Sequence, residues 1–348
     1  MNDYRKHLII ESANVKQALE LLNILGMDGI LFVVDANEKL IGSLTDGDIR
    51  RGLLRGLGLE NNILDFIQQH PKFLKKGNYS IHEVIEYRNR GFRIIPVVDK
   101  ENCIVDVVNF RFHKSYLPID VIIMAGGRGE RLRPLTDSVP KPMLKIGDKP
   151  IIEYNIDQLI SYGANDMWVS VKYMGEQIQD HLKDGSHKSA NIKYLWEDTP
   201  LGTIGAAAKA EINENDYVLV MNSDILTNIN FEDFFIDFIT KDAMLSVVTI
   251  PYYVNVPYAV LETENEHIIS FKEKPTYTYY SNGGIYLMKK ECLKLIPENT
   301  FYNTTDLMDM LIAKGEKVSS YPLIGYWLDI GKPEDYLKAQ EDIKHIKF

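Results

Sequence analysis

The stretch IIMAGGRGERLRPLT, residues 122–136, runs apolar residues straight into glycines and then into arginines. A strand that ends in a glycine turn exposes backbone amides to an anion, and the basic side chains beyond it add positive charge. Three kinds of phosphate loop compete for this pattern. A dinucleotide fingerprint requires glycine where Arg131 stands, and that side chain obstructs the close helix-on-strand packing the third glycine serves. A P-loop ends in Gly-Lys-Ser/Thr to supply a phosphate lysine and a metal-binding hydroxyl, and GERL supplies neither. What remains is a glycine turn followed by Arg131 and, after PLTDSVP, Lys141, with Lys145 and Lys149 farther on. Such a set suits several negative charges at once, as in a triphosphate.

Outward from this loop, strand and helix patterns alternate. DVIIMAGG, DMWVSVKY, NIKYLWED and YVLVMNSDIL read as strands, while PIIEYNIDQLISYG, MGEQIQDHLKDG and TIGAAAKAEI read as helices. The alternation predicts an α/β fold, a mixed but mostly parallel sheet with helices on both faces. Ligands in such sheets bind beyond the carboxyl ends of the strands, where the opening loop falls. FEDFFIDFI has its aromatics at helical spacing and reads as core, and PEDYLKAQEDIKHIKF reads as a closing helix.

A polar turn with Pro118, in HKSYLPID, divides the chain into residues 1–117 and 118–348. The first part repeats itself. GILFVVDANEKLIGSLTDGDIRRGLL gives strand, acidic turn, strand and helix, and GFRIIPVVDKENCIVDVVNFRFH repeats strand, acidic turn and strand about sixty residues later. Helical patterns, VKQALELLNILG and IHEVIEYRNRG, precede the two copies.

Composition narrows the function. The 348 residues carry a net charge of -10, which argues against a general nucleic-acid binder, because phosphate-backbone affinity needs a basic face. Any phosphate site has to be a local basic cluster. Cys103 and Cys292 are too few and too far apart for a disulfide framework or a thiolate metal site, and the eight histidines show no ligand spacing. No apolar run has the length of a membrane helix, and MNDYRKHLII lacks the layout of a secretory signal, so the expected location is the cytoplasm.

Two resemblances sharpen these expectations. The first part resembles a tandem pair of cystathionine-β-synthase (CBS) domains, small α+β modules that often bind adenine nucleotides and regulate an attached enzyme. In GSLTDGDI, Thr45 and Asp48 match positions that commonly hold a ribose, and a carboxylate accepting both ribose hydroxyls is chemically sound. The second copy departs from the pattern: Asp106 replaces a glycine and Phe112 falls where the aspartate belongs. At most one nucleotide site is then expected, and a packing or dimerisation module without ligand stands as the alternative.

GGRGERLRPLTDSVPKPMLKIGDKPIIEY resembles the signature of the sugar-1-phosphate nucleotidyltransferases, and the resemblance extends through the second part. It implies a Rossmann-like, GT-A-like fold and attack of a sugar 1-phosphate on the α-phosphorus of a nucleoside triphosphate. It assigns Gly127, Gly129 and Arg131 to the triphosphate loop and Lys141 to the α-phosphate, with Gly202 and Thr203 near base and ribose. Asp224 and Asp329 fall at positions that coordinate Mg2+. Glu273, Lys274, Asn282 and Gly284 fall at positions that hold the sugar phosphate. A CBS pair ahead of this domain resembles the glucosamine-1-phosphate guanylyltransferases of legionaminic-acid-type pathways, which implies GTP and an amino-hexose 1-phosphate. UTP, dTTP or CTP with mannose or heptose phosphate stays open, as does a silent nucleotide-sensing subunit. Self-assembly into a homo-oligomer is expected, without nucleic-acid or membrane partners.

Overall fold

The computed structural model describes residues 4–212 and 215–346. The first repeat runs β1 (Leu8–Ile10), α1 (Val15–Leu25), β2 (Ile30–Val34), β3 (Leu40–Thr45) and α2 (Asp46–Leu54). The second runs β4 (Leu74–Lys75), α3 (Ile81–Asn89), β5 (Ile94–Val98) and β6 (Ile104–Asn109). Both build a three-stranded sheet with one parallel and one antiparallel pairing, and both hairpin ladders slip at the same place, Val33/Val34 and Val97/Val98. The cause is shared turn chemistry. Asp35 accepts the N–H groups of Asn37 and Lys39 at 2.8 and 2.9 Å, as Asp99 accepts those of Glu101 and Cys103 at 3.0 and 2.8 Å.

The copies part company after the last strand. Thr45 and Asp48 form a capping box that starts α2. Asn109 instead begins a tight turn, accepting the N–H groups of Phe112 and His113, and the chain passes directly into the second half. Phe112, in the place of Asp48, lies exposed there.

In the second half a seven-stranded sheet has the order β11–β10–β7–β12–β17–β14–β18. The strands are β7 (Ile119–Met124), β10 (Asp166–Val171), β11 (Asn191–Trp196), β12 (Tyr217–Asn222), β14 (Leu245–Asn255), β17 (Thr276–Lys289) and β18 (Val318–Pro322). The first four are mutually parallel, and β17 runs against both of its neighbours. β7 sits among these strands and is buried over almost its whole length, which is why it reads as an unbroken apolar run. Short pairs complete the half: β8 (Lys145–Ile146) with β9 (Lys149–Pro150), β13 (Ile225–Thr227) with β19 (Trp327–Asp329), and β15 (Val260–Glu264) with β16 (His267–Lys272).

Helices α4 (Ile151–Ser161), α5 (Gly175–Leu182), α6 (Phe231–Lys241), α7 (Thr304–Ala313) and α8 (Pro333–Asp342) cover the sheet and its edges. The aromatics of α6 are core, with Phe231, Phe234, Phe235 and Phe238 buried. TIGAAAKAEI departs from its helical reading and forms only a short 3-10 turn, Gly205–Lys209. The N–H groups of Ile204 and Gly205 both reach Tyr302 O, which ties the start of this segment to a distant one. Tertiary contact overrides alanine propensity here. No helix among the described residues is long and apolar enough to cross a membrane.

The second repeat and the second half of the chain share one apolar cluster, from Leu74, Val84 and Val97 through Ile119 and Ile123 to Phe234. A fork of ions reinforces this seam. Arg88 on α3 donates to Glu232 at the start of α6 through both nitrogens, at 3.0 and 2.7 Å. Both groups are substantially covered, so loss of the arginine leaves a nearly buried carboxylate without its cation. Arg88→Ala is expected to lower the free energy of unfolding in urea by about 2 kcal/mol. Arg90→Ala, which removes the solvent-exposed pair with Glu86, is expected to change it by less than about 0.5 kcal/mol. Equal effects from the two variants would contradict the role given to Arg88.

Candidate active site

Strand order sets where the site forms. From β7 the chain builds β10 and β11 on one side and then returns to place β12 on the other, so a crevice opens at the carboxyl ends of β7 and β12. A cavity of about 360 Å³ lies there, within the range of small-molecule sites. Its wall includes Gly126, Gly127 and Arg128 after β7, Lys172 after β10, Glu197 after β11, and Asn222, Ser223 and Asp224 at the end of β12.

The glycine loop is shaped by close approach. A Cβ on Gly126 would stand 2.7 Å from the Glu197 carboxylate, whereas Gly127 faces open space. Gly129 adopts a left-handed φ of 64° and turns the chain into the 3-10 turn that holds Arg131. Thr136 locks this turn by donating its hydroxyl to Gly129 O at 2.9 Å.

Opposite the loop, β13 pairs antiparallel with β19, putting Ile225 beside Asp329. Ile330 donates its N–H to Asp224 O at 3.1 Å. Two carboxylates far apart in sequence thereby become neighbours. The Lys141 ammonium bonds Asp224 Oδ2 and lies 3.6 Å from Asp329 Oδ1. Burial and then the Asp224 charge push Asp329 above the ordinary carboxylate range, against the pull of Lys141 and Arg131. The guanidinium of Arg131 also lies beside this group, since a Cβ on Gly331 would meet it at 3.3 Å and Asp329 Oδ2 at the same distance.

Gly202 and Thr203 line the cavity through a loop tied to α7. Gly202 has φ 78°, and a Cβ there would collide with Tyr302 O at 2.5 Å. Thr203 Oγ1 accepts the Thr304 N–H at 2.9 Å. Asn282 and Gly284 lie on β17, where Asn282 Oδ1 accepts the Gly284 N–H and the Tyr286 hydroxyl, both at 2.9 Å. Gly284 packs against Asn222 so closely that a Cβ would stand 2.7 Å from its amide. Gly129, Arg131, Asp329, Asn282 and Gly284 lie outside the wall of this cavity, and so do Glu273 and Lys274, which are exposed between β16 and β17. Lys149 is engaged by Asp157 at 2.6 Å, and Lys145 is exposed; neither lines it.

In the first repeat, Asp48 is buried and fully engaged. Its Oδ2 accepts the Thr45 N–H and hydroxyl at 2.9 and 2.6 Å, and its Oδ1 accepts from Arg51 and Gln68 at 2.5 and 3.1 Å. Burial pushes its pKa up, but the bonds from Thr45, Gln68 and Arg51 outweigh that and hold it below the usual range.

One carboxylate escaped the sequence reading. Glu197 is buried; its Oε1 accepts the Ser170 hydroxyl and its Oε2 accepts the Leu201 N–H at 3.0 Å. Lys172 frames the same corner by donating to Glu197 O and Asp198 O at 3.2 and 2.7 Å. The signal was available, because both residues directly follow parallel strands on the ligand side of the sheet. A larger cleft of about 650 Å³ opens between the second repeat and the second half, lined by Tyr79, Asp106 and Tyr116, and holds none of the loop residues.

Comparison with known proteins bears on the family to which these two halves belong. Residues 120–346 match the family described as nucleotidyl transferase, and residues 8–55 match the CBS domain. The bifunctional protein GlmU of Methanocaldococcus jannaschii is 35% identical over 230 residues, which cover 64% of this chain and 54% of that protein, about half its length. The D-glycero-alpha-D-manno-heptose 1-phosphate guanylyltransferase of Aneurinibacillus thermoaerophilus is 31% identical, with 65% of this chain and 99% of that protein covered. The crystal structure of HddC from Yersinia pseudotuberculosis complexed with GMP-PN aligns with a TM-score of 0.50 at 28% identity, covering 64% of this chain and 99% of that one. With its glycine loop, paired aspartates and N-terminal CBS domain, the chain belongs to the nucleotidyl transferase family, among the sugar-1-phosphate nucleotidyltransferases.

Proposed function

We propose that the chain joins a nucleoside triphosphate to a sugar 1-phosphate, releasing pyrophosphate, and that it uses GTP with glucosamine 1-phosphate or a related amino sugar. The observation that carries the reaction is the meeting of Lys141, Asp224 and Asp329 beside the glycine loop. An oxygen of the sugar phosphate attacks the α-phosphorus, the bond to the β-phosphate oxygen breaks, and pyrophosphate leaves with the negative charge. Two polyanions must be held in line, so positioning and charge neutralisation supply most of the acceleration.

In this reading Gly127 and Gly129 give the triphosphate access to backbone amides, Arg131 flanks it, and Lys141 steadies charge developing at the α-phosphate. Gly202 and Thr203 border the base and ribose, and Asn282 and Gly284 the sugar. Asp224 and Asp329 are the residues that would hold Mg2+. The fit is chemical: Asp224 Oδ1 is buried without a hydrogen-bond partner, and a cation, the Lys141 ammonium, already lies between the carboxylates. Among the described residues no three His, Cys, Asp or Glu side chains gather as a metal set, so phosphate oxygens would complete the coordination. Bound there, the metal would supply charge shared between the phosphates.

Glu197 supports guanine. A carboxylate only accepts, and each oxygen retains capacity beyond its bond to Ser170 or Leu201. Guanine offers adjacent N1–H and N2–H donors, whereas uracil and thymine offer one N–H between two carbonyls that a carboxylate repels. For the first repeat we propose a regulatory nucleotide at Thr45 and Asp48, which requires Asp48 to exchange Arg51 or Gln68 for ribose hydroxyls. Regulation also requires that ligand to bind two states of the enzyme unequally.

Pyrophosphate release with Mg2+, from GTP, UTP, dTTP, CTP and ATP against hexose, amino-hexose and heptose 1-phosphates, tests the reading. Release is expected only with both substrates present, fastest with GTP and an amino-hexose phosphate. Silence across the panel from folded protein that binds nucleotide would identify a sensing subunit instead. Glu197→Gln keeps the size but turns one acceptor into a donor. It is expected to lower kcat/KM for GTP about 10-fold or more, with a smaller loss for UTP. Equal losses for the two nucleotides would remove Glu197 from base selection.

A further inference from the structure

The two repeats differ in what lies against the edge of their last strand. Gly42 and Asp106 hold the same register, opposite Val33 in one hairpin and Val97 in the other. In the first repeat the chain covers that edge itself. Ser43 and Gln68 exchange backbone hydrogen bonds at 3.0 and 2.9 Å, and a Cβ on Gly42 would meet Gln68 O and the Ile67 side chain at 2.8 Å. Among the described residues no segment takes that place in the second repeat. The N–H of Val107, which matches Ser43, turns to Asp106 Oδ1 at 2.8 Å. Beyond it opens the cleft of about 650 Å³ against the catalytic half, a volume within the range of small-molecule sites.

The wall of this cleft is rich in acceptors. Asp106 Oδ2 accepts the Tyr116 hydroxyl at 3.0 Å, and among the described residues no lysine or arginine is paired with the carboxylate. An asparagine could satisfy Val107 and Tyr116 as well, so neither bond accounts for a charge here. The nearby groups do not compensate it. Burial pulls the pKa of His113 below its ordinary value, which leaves the ring neutral at pH 7. Lys188, also on the wall, already bridges Glu153 and Asp157 at 2.7 and 2.8 Å. Burial pushes Asp106 above the usual carboxylate range, against smaller opposing pulls from Val107, Tyr116, His113 and Lys76.

Two further features point to a donor as the missing partner. Asn165, on the catalytic side, has its Oδ1 buried without a hydrogen-bond partner. Tyr79 and Tyr116 stand with ring centroids 5.6 Å apart, both close enough to Asp106 to feel its charge. Aromatic faces beside a carboxylate suit an ammonium, which the ring quadrupole and the charge both attract. An anion would instead meet Asp106, Asp157 and Asp166 on the same wall.

We propose that this cleft binds a hydroxylated primary amine of the amino-sugar class, its ammonium on Asp106 beside Tyr79 and Tyr116 and a hydroxyl donating to Asn165 Oδ1. Asp166 and Asn191, the first residues of β10 and β11, also line the cleft, so it lies at the opposite end of these strands from the glycine loop. A ligand there touches the second repeat and the catalytic sheet together. The inference stands on the cleft and does not require the reaction proposed above.

Isothermal titration calorimetry of the full chain with glucosamine tests it, with glucose and N-acetylglucosamine as rings without the charge. Wild type is expected to bind one glucosamine per chain at least 10-fold more tightly than either control. Asp106→Asn, whose amide oxygen still accepts the Val107 N–H, is expected to keep the fold by circular dichroism and to weaken glucosamine at least 10-fold. Asn165→Leu, on the other wall, leaves the carboxylate untouched and is expected to weaken it about 5-fold. Asp224→Asn, in the reaction centre, is expected to bind glucosamine as wild type does. Absence of binding, equal affinity for glucosamine and glucose, or wild-type affinity in folded Asp106→Asn overturns the proposal. A loss confined to Asp224→Asn places the amine in the reaction centre and overturns it equally.

Discussion

The pairing of β13 with β19 is the contact that brings Asp224 and Asp329 together. Two carboxylates repel one another, and Asp224 and Asp329 are held close because the strands beneath them are locked together, with Lys141 between them offsetting the repulsion. The lock is apolar. Leu226 and Leu328 from the two strands pack with Leu132 and Leu144 of the glycine-loop segment and Ala339 of α8. Each such side chain contributes on the order of 1.5–3 kcal/mol when buried. The same cluster therefore fixes the residue next to Arg131, the turn that follows Lys141 and both acidic strands. Cations and anions are placed by one set of apolar contacts, and the charges need only avoid undoing it.

Much of this was legible because it is local. The glycine loop, the parallel strands and the paired repeats all leave short-range signatures, in apolar runs and in acidic turns that accept their own backbone amides. Asp224 and Asp329 could be named from motifs, but their proximity is a matter of register between segments a hundred residues apart. The stretch 203–212 misled because its alanines favour a helix in isolation, while in the fold its start is tied to the distant Tyr302. Glu197 was hidden by its ordinary setting, an acidic residue after a strand, and acquires meaning only when Gly126 is seen against it.

The two halves are joined more intimately than a linker would allow. The second repeat shares a core with the catalytic half, and the turn after β6 replaces the helix that its twin possesses. In that turn Phe112 stands in the place of Asp48, and α3 meets α6 through Arg88 and Glu232. The first repeat keeps its helix, and Asp48 there serves as a cap while holding Arg51 and Gln68. One copy is thus specialised for contact and the other retains the groups a nucleotide could use.

Manganese binding followed by electron paramagnetic resonance, in the presence of GTP, addresses the centre most directly, because it reads the paired aspartates without requiring turnover. Wild-type protein is expected to bind the ion with the nucleotide. Asp224→Asn and Asp329→Asn are each expected to weaken that binding at least 10-fold, with circular dichroism unchanged. Wild-type affinity in either folded variant would contradict the claim that these two carboxylates, brought together by β13 and β19, form the metal site of the reaction.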